Sequence, residues 1–243
     1  MEKINGGVTA AKGFTANGLH CGMRKNKTKP DLAMIYSEQE CSAAAVYTQN
    51  LVKGAPIEVT QKNLSNGKAQ AVIVNSGNAN TCNADGVEKA EKMCKIAAEQ
   101  LNISPEDVIV ASTGVIGQVL PIEPIENAAH DLKMGLSADG SEKAAKAIMT
   151  TDTFHKEAAV EFELGGKKVC IGGIAKGSGM IHPNMATMLA FITTDCAISS
   201  NMLDKAVKSV TEKTFNCISI DGDTSTNDTF AVMANGMAGN ILI

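Results

Sequence analysis

Residues 177–189 read GSGMIHPNMATML. Glycine, proline and asparagine dominate the first half, and Thr187 opens the apolar run that follows. The first half therefore predicts a bent loop, and residues 187–194 predict a buried strand. Thr187 has two interpretations at this point. It is either an ordinary β-forming residue at the start of a strand, or a nucleophile placed directly after a strained loop.

A threonine hydroxyl is a weak nucleophile until a base accepts its proton. A threonine that begins a chain carries such a base in its own α-amine, which titrates near ~7.7–8.0. Thr187 is internal, so it reaches that state only if the peptide bond after Ala186 breaks. Ala186 is small, and the glycines before it allow a bent backbone. Attack of the hydroxyl on the Ala186 carbonyl would give an ester that water opens, so self-cleavage is chemically reasonable here.

Composition narrows the class of protein. The chain has 243 residues, 44% of them hydrophobic, which is enough for one large domain or two small ones. A net charge of -4 and the absence of tryptophan argue against nucleic acid as the partner. We see no signal peptide and no run of ~18 apolar residues, so we expect a cytoplasmic protein without a membrane partner.

Metal binding is not predicted. The seven cysteines lack the paired spacing of a metal site, and their odd number indicates free thiols in a reducing compartment. The stretch that begins at Asp221 resembles a calcium loop at first. It has Thr226 at the sixth position and Val232 at the twelfth, where glycine and glutamate are required.

The pattern of elements predicts an α+β fold of layered mixed sheets and helices. Strands and helices mix without a steady strand-helix-strand rhythm, and neither a linker nor an internal repeat is detectable. Gly165-Gly166 between two apolar runs predicts a hairpin. The predicted strands are 32–36, 42–47, 69–75, 108–111, 158–164, 168–174, 187–194, 218–220 and 230–233. The predicted helices are 86–101, 122–134, 141–149 and, capped by Ser199 or Ser200, a helix that ends near 214.

Residues 176–189 resemble the cleavage segment of the ornithine acetyltransferase family, also called glutamate N-acetyltransferase. The family motif KGSGMIxPNMATML is matched at every fixed position, with His182 at the variable one. The resemblance extends over nearly the whole chain and implies an N-terminal-nucleophile-like fold. Further stretches that resemble the family are GGVTAAKGF (6–14), VNSGNAN (74–80), STGVIG (112–117), MTTDT (149–153) and DGDTSTND (221–228).

The resemblance implies that the chain cleaves itself between Ala186 and Thr187. The products would be an α chain, 1–186, and the start of a β chain, 187–243. Thr187 would then be the nucleophile, with its α-amine as the base, and Thr187 would also be one of the substrate-binding residues. Family members extend further, so we expect this chain to be C-terminally truncated.

The resemblance also assigns roles to four other residues. An oxyanion hole needs a hydroxyl or backbone N–H donor close to the reacting carbonyl, and an ammonium is a natural partner for a substrate carboxylate. The matched oxyanion-hole pair is Thr113 and Gly114, and the matched substrate-binding residues are Thr153 and Lys176.

The implied reaction moves the acetyl group of N2-acetyl-L-ornithine to L-glutamate in arginine biosynthesis. It would proceed by a ping-pong mechanism through an acetyl-enzyme. No cofactor is implied, although acetyl-CoA is a possible second acetyl donor. The implied assembly is a heterotetramer of two α and two β chains. Two alternatives stay open: an N-terminal-nucleophile amidase or aminopeptidase that uses water as acceptor, and an inert fragment of the transferase.

Overall fold

The structure is a computed structural model that describes residues 1–180 and 188–243. The strands are β1 Glu2–Ile4, β2 Phe14–Leu19, β3 Leu32–Tyr47, β4 Lys68–Asn75, β5 Val108–Ser112, β6 Lys156–Leu164, β7 Lys167–Lys176, β8 Leu189–Thr194 and β9 Thr229–Ala234. The helices are α1 Ala55–Asn63, α2 Gly86–Leu101, α3 Glu123–Met134, α4 Ser141–Ala147 and α5 Ser200–Lys213. No helix in the described ranges is long and apolar enough to cross a membrane.

The strands of the described residues form one mixed sheet that divides into two halves at β3. The order is β1-β6-β7-β8-β9-β3-β4-β5, and β2 pairs with β3 in addition. The first part of β3 pairs with β2, and its last part, Ser42–Tyr47, pairs with β9. A register shift between Tyr36 and Cys41 separates the two parts. Such an irregularity bends a strand, so β3 can contribute to both half-sheets.

Three apolar cores follow from the alternation of side chains along these strands. In β4, Val72 and Val74 belong to an inner core, while Ala71 and Ile73 face helices α2 and α3. The inner core also takes Phe191 from β8, together with residues of β9 and α4, so it lies between the two half-sheets. Helix α5 covers the outer face of β8 and β9. The result is a sandwich of two half-sheets between helical layers.

The two half-sheets repeat one arrangement. In the first, β2, β3 and β4 pair antiparallel, and α2 connects β4 to the parallel strand β5. In the second, β6, β7 and β8 pair antiparallel, and α5 connects β8 to the parallel strand β9. The sequence interpretation detected no repeat, because packing needs only the same apolar pattern and not the same residues in each half.

Most predicted elements are confirmed. Gly165 and Gly166 both have positive φ and form the hairpin turn between β6 and β7. The Ser199 side chain accepts a hydrogen bond from the Met202 amide and caps α5. The prediction of α2 is confirmed over its whole range, and its end is Asn102 in the left-handed region.

Other predictions are wrong. The two strands predicted at 32–36 and 42–47 are one strand, β3, because the polar residues between them continue the extended backbone through a register shift. The strand predicted at 218–220 is absent, and Ile220 is 57% exposed after a short 3-10 turn. Three elements were missed: β1, β2 and α1. The first residue of the strand predicted at 187–194 lies outside the described residues.

Candidate active site

Lys176 is the last residue of β7 and lies at the edge of the inner core. Because side chains alternate along a strand, Lys176 shares the inner face with Gly172 and Ile174. Its side chain is consequently buried, with only 4% of the residue exposed. A buried ammonium needs a partner, and Lys176 Nζ donates to Thr113 Oγ1 at 2.8 Å.

Thr113 and Gly114 follow β5 directly. The Thr113 amide continues the sheet by donating to the Asn75 carbonyl at 3.0 Å. Gly114 has φ +131, a region that L side chains rarely adopt, and its backbone lies against Gly77 and Asn78. A Cβ at Gly114 would be 2.6 Å from the Gly77 carbonyl carbon. The two predicted oxyanion-hole residues and Lys176 therefore lie together where β5 and β7 end.

These three residues border one cavity of about 430 Å³. Met180, which ends the described part of the GSGM stretch, borders the same cavity. Thr153 does not: it is exposed and borders a neighbouring cavity of about 250 Å³, together with Arg24. Thr150 borders both cavities. The structure thus brings together Thr113, Gly114 and Lys176 at one cavity, and it places Thr153 at the neighbouring cavity.

The acidic loop, residues 221–228, holds both flanks of the segment 181–187. On one side, Asp221 Oδ2 accepts from the Met180 amide at 2.5 Å. On the other, Asp228 Oδ1 accepts from the Met188 amide at 2.7 Å. The predicted cleavage pair Ala186 and Thr187, and also His182, lie within that segment and therefore outside the described residues. Its two neighbours are nonetheless fixed to one loop beside the cavity.

Asn227 joins the acidic loop to the loops that follow β4 and β5. Its side-chain amide donates to the Ala79 carbonyl at 2.6 Å and to the Ser112 carbonyl at 3.0 Å. Its side-chain oxygen accepts from the Thr81 hydroxyl at 2.7 Å. The side chain is buried, so these bonds are shielded from competing water. They fix the position of Asp228 relative to Thr113.

Asp152 fixes the start of the glycine-rich stretch. Its Oδ1 accepts from the Gly177 amide at 2.8 Å and from Lys156 Nζ at 2.6 Å. Its Oδ2 accepts from the Thr150 amide at 3.2 Å. Burial alone would raise the pKa of Asp152, but these bonds to its charged form lower it below the ordinary value.

The site holds buried charges of both signs. Burial lowers the pKa of Lys176 to about 8, although the carboxylates of Asp152 and Asp228 act in the opposite direction. Burial raises the pKa of Asp228 to about 7, against the hydrogen bond from Met188 and the charge of Lys176. Both groups consequently titrate close to neutral pH. Perturbed pKa values of this kind concentrate at functional sites.

Comparisons with known proteins identify the family of the chain. The ArgJ family model matches residues 15–241. This chain belongs to the ArgJ family. It is 51% identical over 242 residues to the arginine biosynthesis bifunctional protein ArgJ of Symbiobacterium thermophilum, and 50% identical over 241 residues to that of Caldanaerobacter subterraneus. Each match covers 99% of this chain but only 60% and 59% of the relative, so the chain spans about three fifths of their length.

Two solved structures that resemble this chain support the same family assignment. The ArgJ crystal structure from Bacillus halodurans is 42% identical, has a TM-score of 0.70, and aligns over 77% of this ArgJ-family chain and 97% of its own. Ornithine acetyltransferase from Mycobacterium tuberculosis, solved with ornithine, is 31% identical, has a TM-score of 0.69, and aligns over 77% and 99%. The predicted family and its fold class are thereby confirmed.

A more distant likeness concerns the fold alone. The L-aminopeptidase D-Ala-esterase/amidase of Ochrobactrum anthropi, a variant of the Ntn hydrolase fold, is 13% identical and has a TM-score of 0.59. It aligns over 97% of this ArgJ-family chain and 76% of its own. The N-terminal-nucleophile-like architecture predicted from the resemblance is therefore confirmed.

Sequence interpretation missed three residues of this ArgJ-family site: Asp152, Asn227 and Asp228. All three lie in stretches that resemble the family, but the resemblance assigned none of them a role. One signal was available for Asp228. It is a charged residue directly before the apolar strand β9, a position where an unpaired charge would be costly.

Proposed function

We propose that this chain is the N-terminal part of a self-cleaving acyltransferase that moves the acetyl group of N-acetylornithine to glutamate. The observation that carries the proposal is the cavity shared by Thr113, Gly114 and Lys176, beside the acidic loop that holds Met180 and Met188. A segment with the family's cleavage motif joins those two methionines in the sequence. The structure solved with ornithine belongs to a relative and supports an amino-acid substrate of this kind.

The lengths of the relatives' chains support scission near Thr187. The ornithine acetyltransferase chain is matched over 99% of its own length, yet it covers only 77% of this one. That share of 243 residues is about 187 residues. A separate polypeptide of this length is what cleavage between Ala186 and Thr187 would leave.

Scission would free the α-amine of Thr187 to act as base. The Thr187 hydroxyl would attack the acetyl carbonyl of N-acetylornithine, the amine would accept the hydroxyl proton, and ornithine would leave with a proton. Glutamate would then attack the acetyl-threonine ester and regenerate the hydroxyl. The two half-reactions share one nucleophile, so substrates enter in turn.

Thr113 and Gly114 would stabilise the oxyanion of each tetrahedral intermediate. The Lys176 ammonium has only donors, so its contact with Thr113 Oγ1 occupies that oxygen as an acceptor. The Thr113 hydroxyl proton is then directed elsewhere and can donate to an oxyanion in the cavity. The Gly114 amide supplies a second donor, because a residue without Cβ allows close approach. Lys176 would also attract the substrate carboxylate.

Lys176→Met is expected to lower kcat/KM for acetyl transfer by about 100-fold, the usual cost of weakening an oxyanion-hole donor. Methionine keeps the length of the side chain and removes its charge. The matched control is Lys168→Met, on the same strand but exposed and paired with Glu161. Steady-state kinetics of both variants measure the difference. Equal losses in the two variants would contradict the role given to Lys176.

Two measurements on the purified 243-residue chain test the proposal. The first is its intact mass under denaturing conditions, and the second is the identity of the products that it forms from substrate. Scission predicts two species, residues 1–186 and 187–243. Incubation with N-acetylornithine and glutamate should then yield ornithine and N-acetylglutamate in equal amounts. Free acetate instead would identify an amidase, and replacement of N-acetylornithine by acetyl-CoA tests the second donor. A single uncut, inactive species would identify the inert fragment.

A further inference from the structure

Arg24 is the only arginine in the sequence, and it lies in the loop between β2 and β3. Its side chain is half-buried and connects two other loops. Nε donates to the Ser76 carbonyl at 3.0 Å, and Nη2 donates to the carbonyls of Ser76 and Met149. These bonds fix the orientation of the guanidinium. They leave both N–H groups of Nη1 without a hydrogen-bond partner in residues 1–180 and 188–243.

The charge of Arg24 has no ion-pair partner in the described part of the chain. The carboxylates of Asp31 and Asp152 act on it from beyond ion-pair distance. Each of them is engaged elsewhere, Asp31 with His20 and Asp152 with Lys156. Burial lowers the pKa of Arg24, because a charged group is less stable away from water. A half-buried charge without a partner is costly, so an anionic ligand would stabilise it.

Arg24 borders the cavity of about 250 Å³ that lies beside the active-site cavity. The basic residues that line it are Arg24, Lys29, Lys146 and His155. Lys146 is paired with Glu142, which is not part of the lining. No aspartate or glutamate is found among the described residues that border this cavity. The charges around it therefore favour an anion.

This cavity adjoins the active-site cavity, because Thr150 borders both. Burial is the main cause of the lowered pKa of Lys176, and the charge of Arg24 lowers that pKa further. The two cations therefore lie within electrostatic reach of each other. In the proposed reaction, glutamate carries two carboxylates, whereas N-acetylornithine carries one carboxylate and a side-chain ammonium. Two cationic positions in adjoining cavities match glutamate.

We propose that Arg24 binds the side-chain carboxylate of glutamate and thereby selects the acetyl acceptor, an inference that rests on the proposed function. Lys176 would attract the α-carboxylate, which both substrates share. Nη1 of Arg24 would donate to the carboxylate that only glutamate has. Hydrogen bonds between a guanidinium and a carboxylate are among the stronger ones in proteins. The ammonium of N-acetylornithine gains nothing from Arg24, so the contact favours glutamate alone.

The test is the binding of L-glutamate, L-glutamine and N-acetylornithine to the purified 243-residue chain, measured by isothermal titration calorimetry. Glutamine has the length of glutamate without its side-chain charge. We expect glutamate to bind at least about 10-fold more tightly than glutamine. Arg24→Gln should remove that difference by weakening the binding of glutamate alone. Arg24→Lys keeps the charge and should retain part of the difference, and N-acetylornithine should bind no more weakly to either variant.

The matched control is Lys143→Gln. Lys143 is exposed on α4 and borders neither cavity, so its substitution removes the same charge at a different place. The preference for glutamate over glutamine should be unchanged in this variant. An equal loss of preference in Lys143→Gln and Arg24→Gln would overturn the inference, because net charge rather than a contact would then explain it.

Two other results would also overturn the inference. One is an unsubstituted chain, or an Arg24→Gln variant, that binds glutamate and glutamine with the affinities expected of the other. The second is equal weakening of all three ligands in Arg24→Gln, because Arg24 would then only hold the loops of Ser76 and Met149. Scission and acetyl transfer are measured separately. A chain that binds glutamate through Arg24 but neither cuts itself nor transfers acetyl would remove the proposed function and leave the binding position.

Discussion

Thr187→Ala is expected to leave the chain as a single uncut species and to abolish acetyl transfer. Alanine removes the only hydroxyl that both reactions would use, so neither the ester at Ala186 nor the acetyl-enzyme can form. Loss of a nucleophile typically costs at least about 10⁴-fold in rate. The denatured mass reports scission, and formation of N-acetylglutamate from N-acetylornithine reports transfer.

Thr187→Ser is the matched control for this experiment. Serine keeps the hydroxyl and loses only a methyl group, so scission and transfer should both persist at reduced rates. The free energy of unfolding of both variants, measured in urea, shows that each one folds. An alanine variant that is cut at the same bond, or that transfers acetyl at the unsubstituted rate, would place the nucleophile elsewhere.

The central sheet was predictable because its strands carry strong local patterns. Strand β4 is apolar on both faces, as a strand buried between two cores must be. Strand β2 was missed because its sequence, FTANGL, contains Asn17 and Gly18. Both suit the packing rather than the strand: Gly18 lies against the backbone of Lys143 in α4, and the Asn17 side chain donates to the Leu132 carbonyl. Such tertiary contacts leave no periodic signal.

The site was only partly predictable for a similar reason. Gly114 could be selected by resemblance, but its contact with Gly77 depends on the parallel pairing of β4 and β5. The bond between Lys176 and Thr113 joins residues 63 positions apart in opposite half-sheets. The sequence alone suggested a substrate carboxylate as the partner of Lys176, and the structure adds a second partner inside the protein. Asp228 accepts a hydrogen bond from the amide of Met188, which lies 40 positions away in the sequence and directly before the adjacent strand β8. No local sequence pattern connects these two residues.

Gly114→Ala is expected to impair both the fold and acetyl transfer. The added Cβ would be 2.6 Å from the Gly77 carbonyl carbon and 2.8 Å from the Asn78 nitrogen, and both atoms belong to the backbone, which cannot rotate away. The φ of +131 adds conformational strain. We expect the free energy of unfolding to fall by about 3 kcal/mol. Displacement of the Gly114 amide should lower kcat for transfer by about 100-fold or more.

Gly117→Ala separates these two causes, because it tests strain without the clash. Gly117 lies in the same loop and has φ +76, but no atom lies within 4 Å of its added Cβ. It should therefore cost only about 1–2 kcal/mol of stability and leave transfer unchanged. Urea unfolding and kcat, measured on both variants, compare them directly. If Gly114→Ala kept the activity of the unsubstituted chain, the close approach of residues 77–78 to Gly114 would not be what positions the oxyanion donor. If both variants lost transfer to the same extent, the conformational freedom of the whole loop would be the requirement instead.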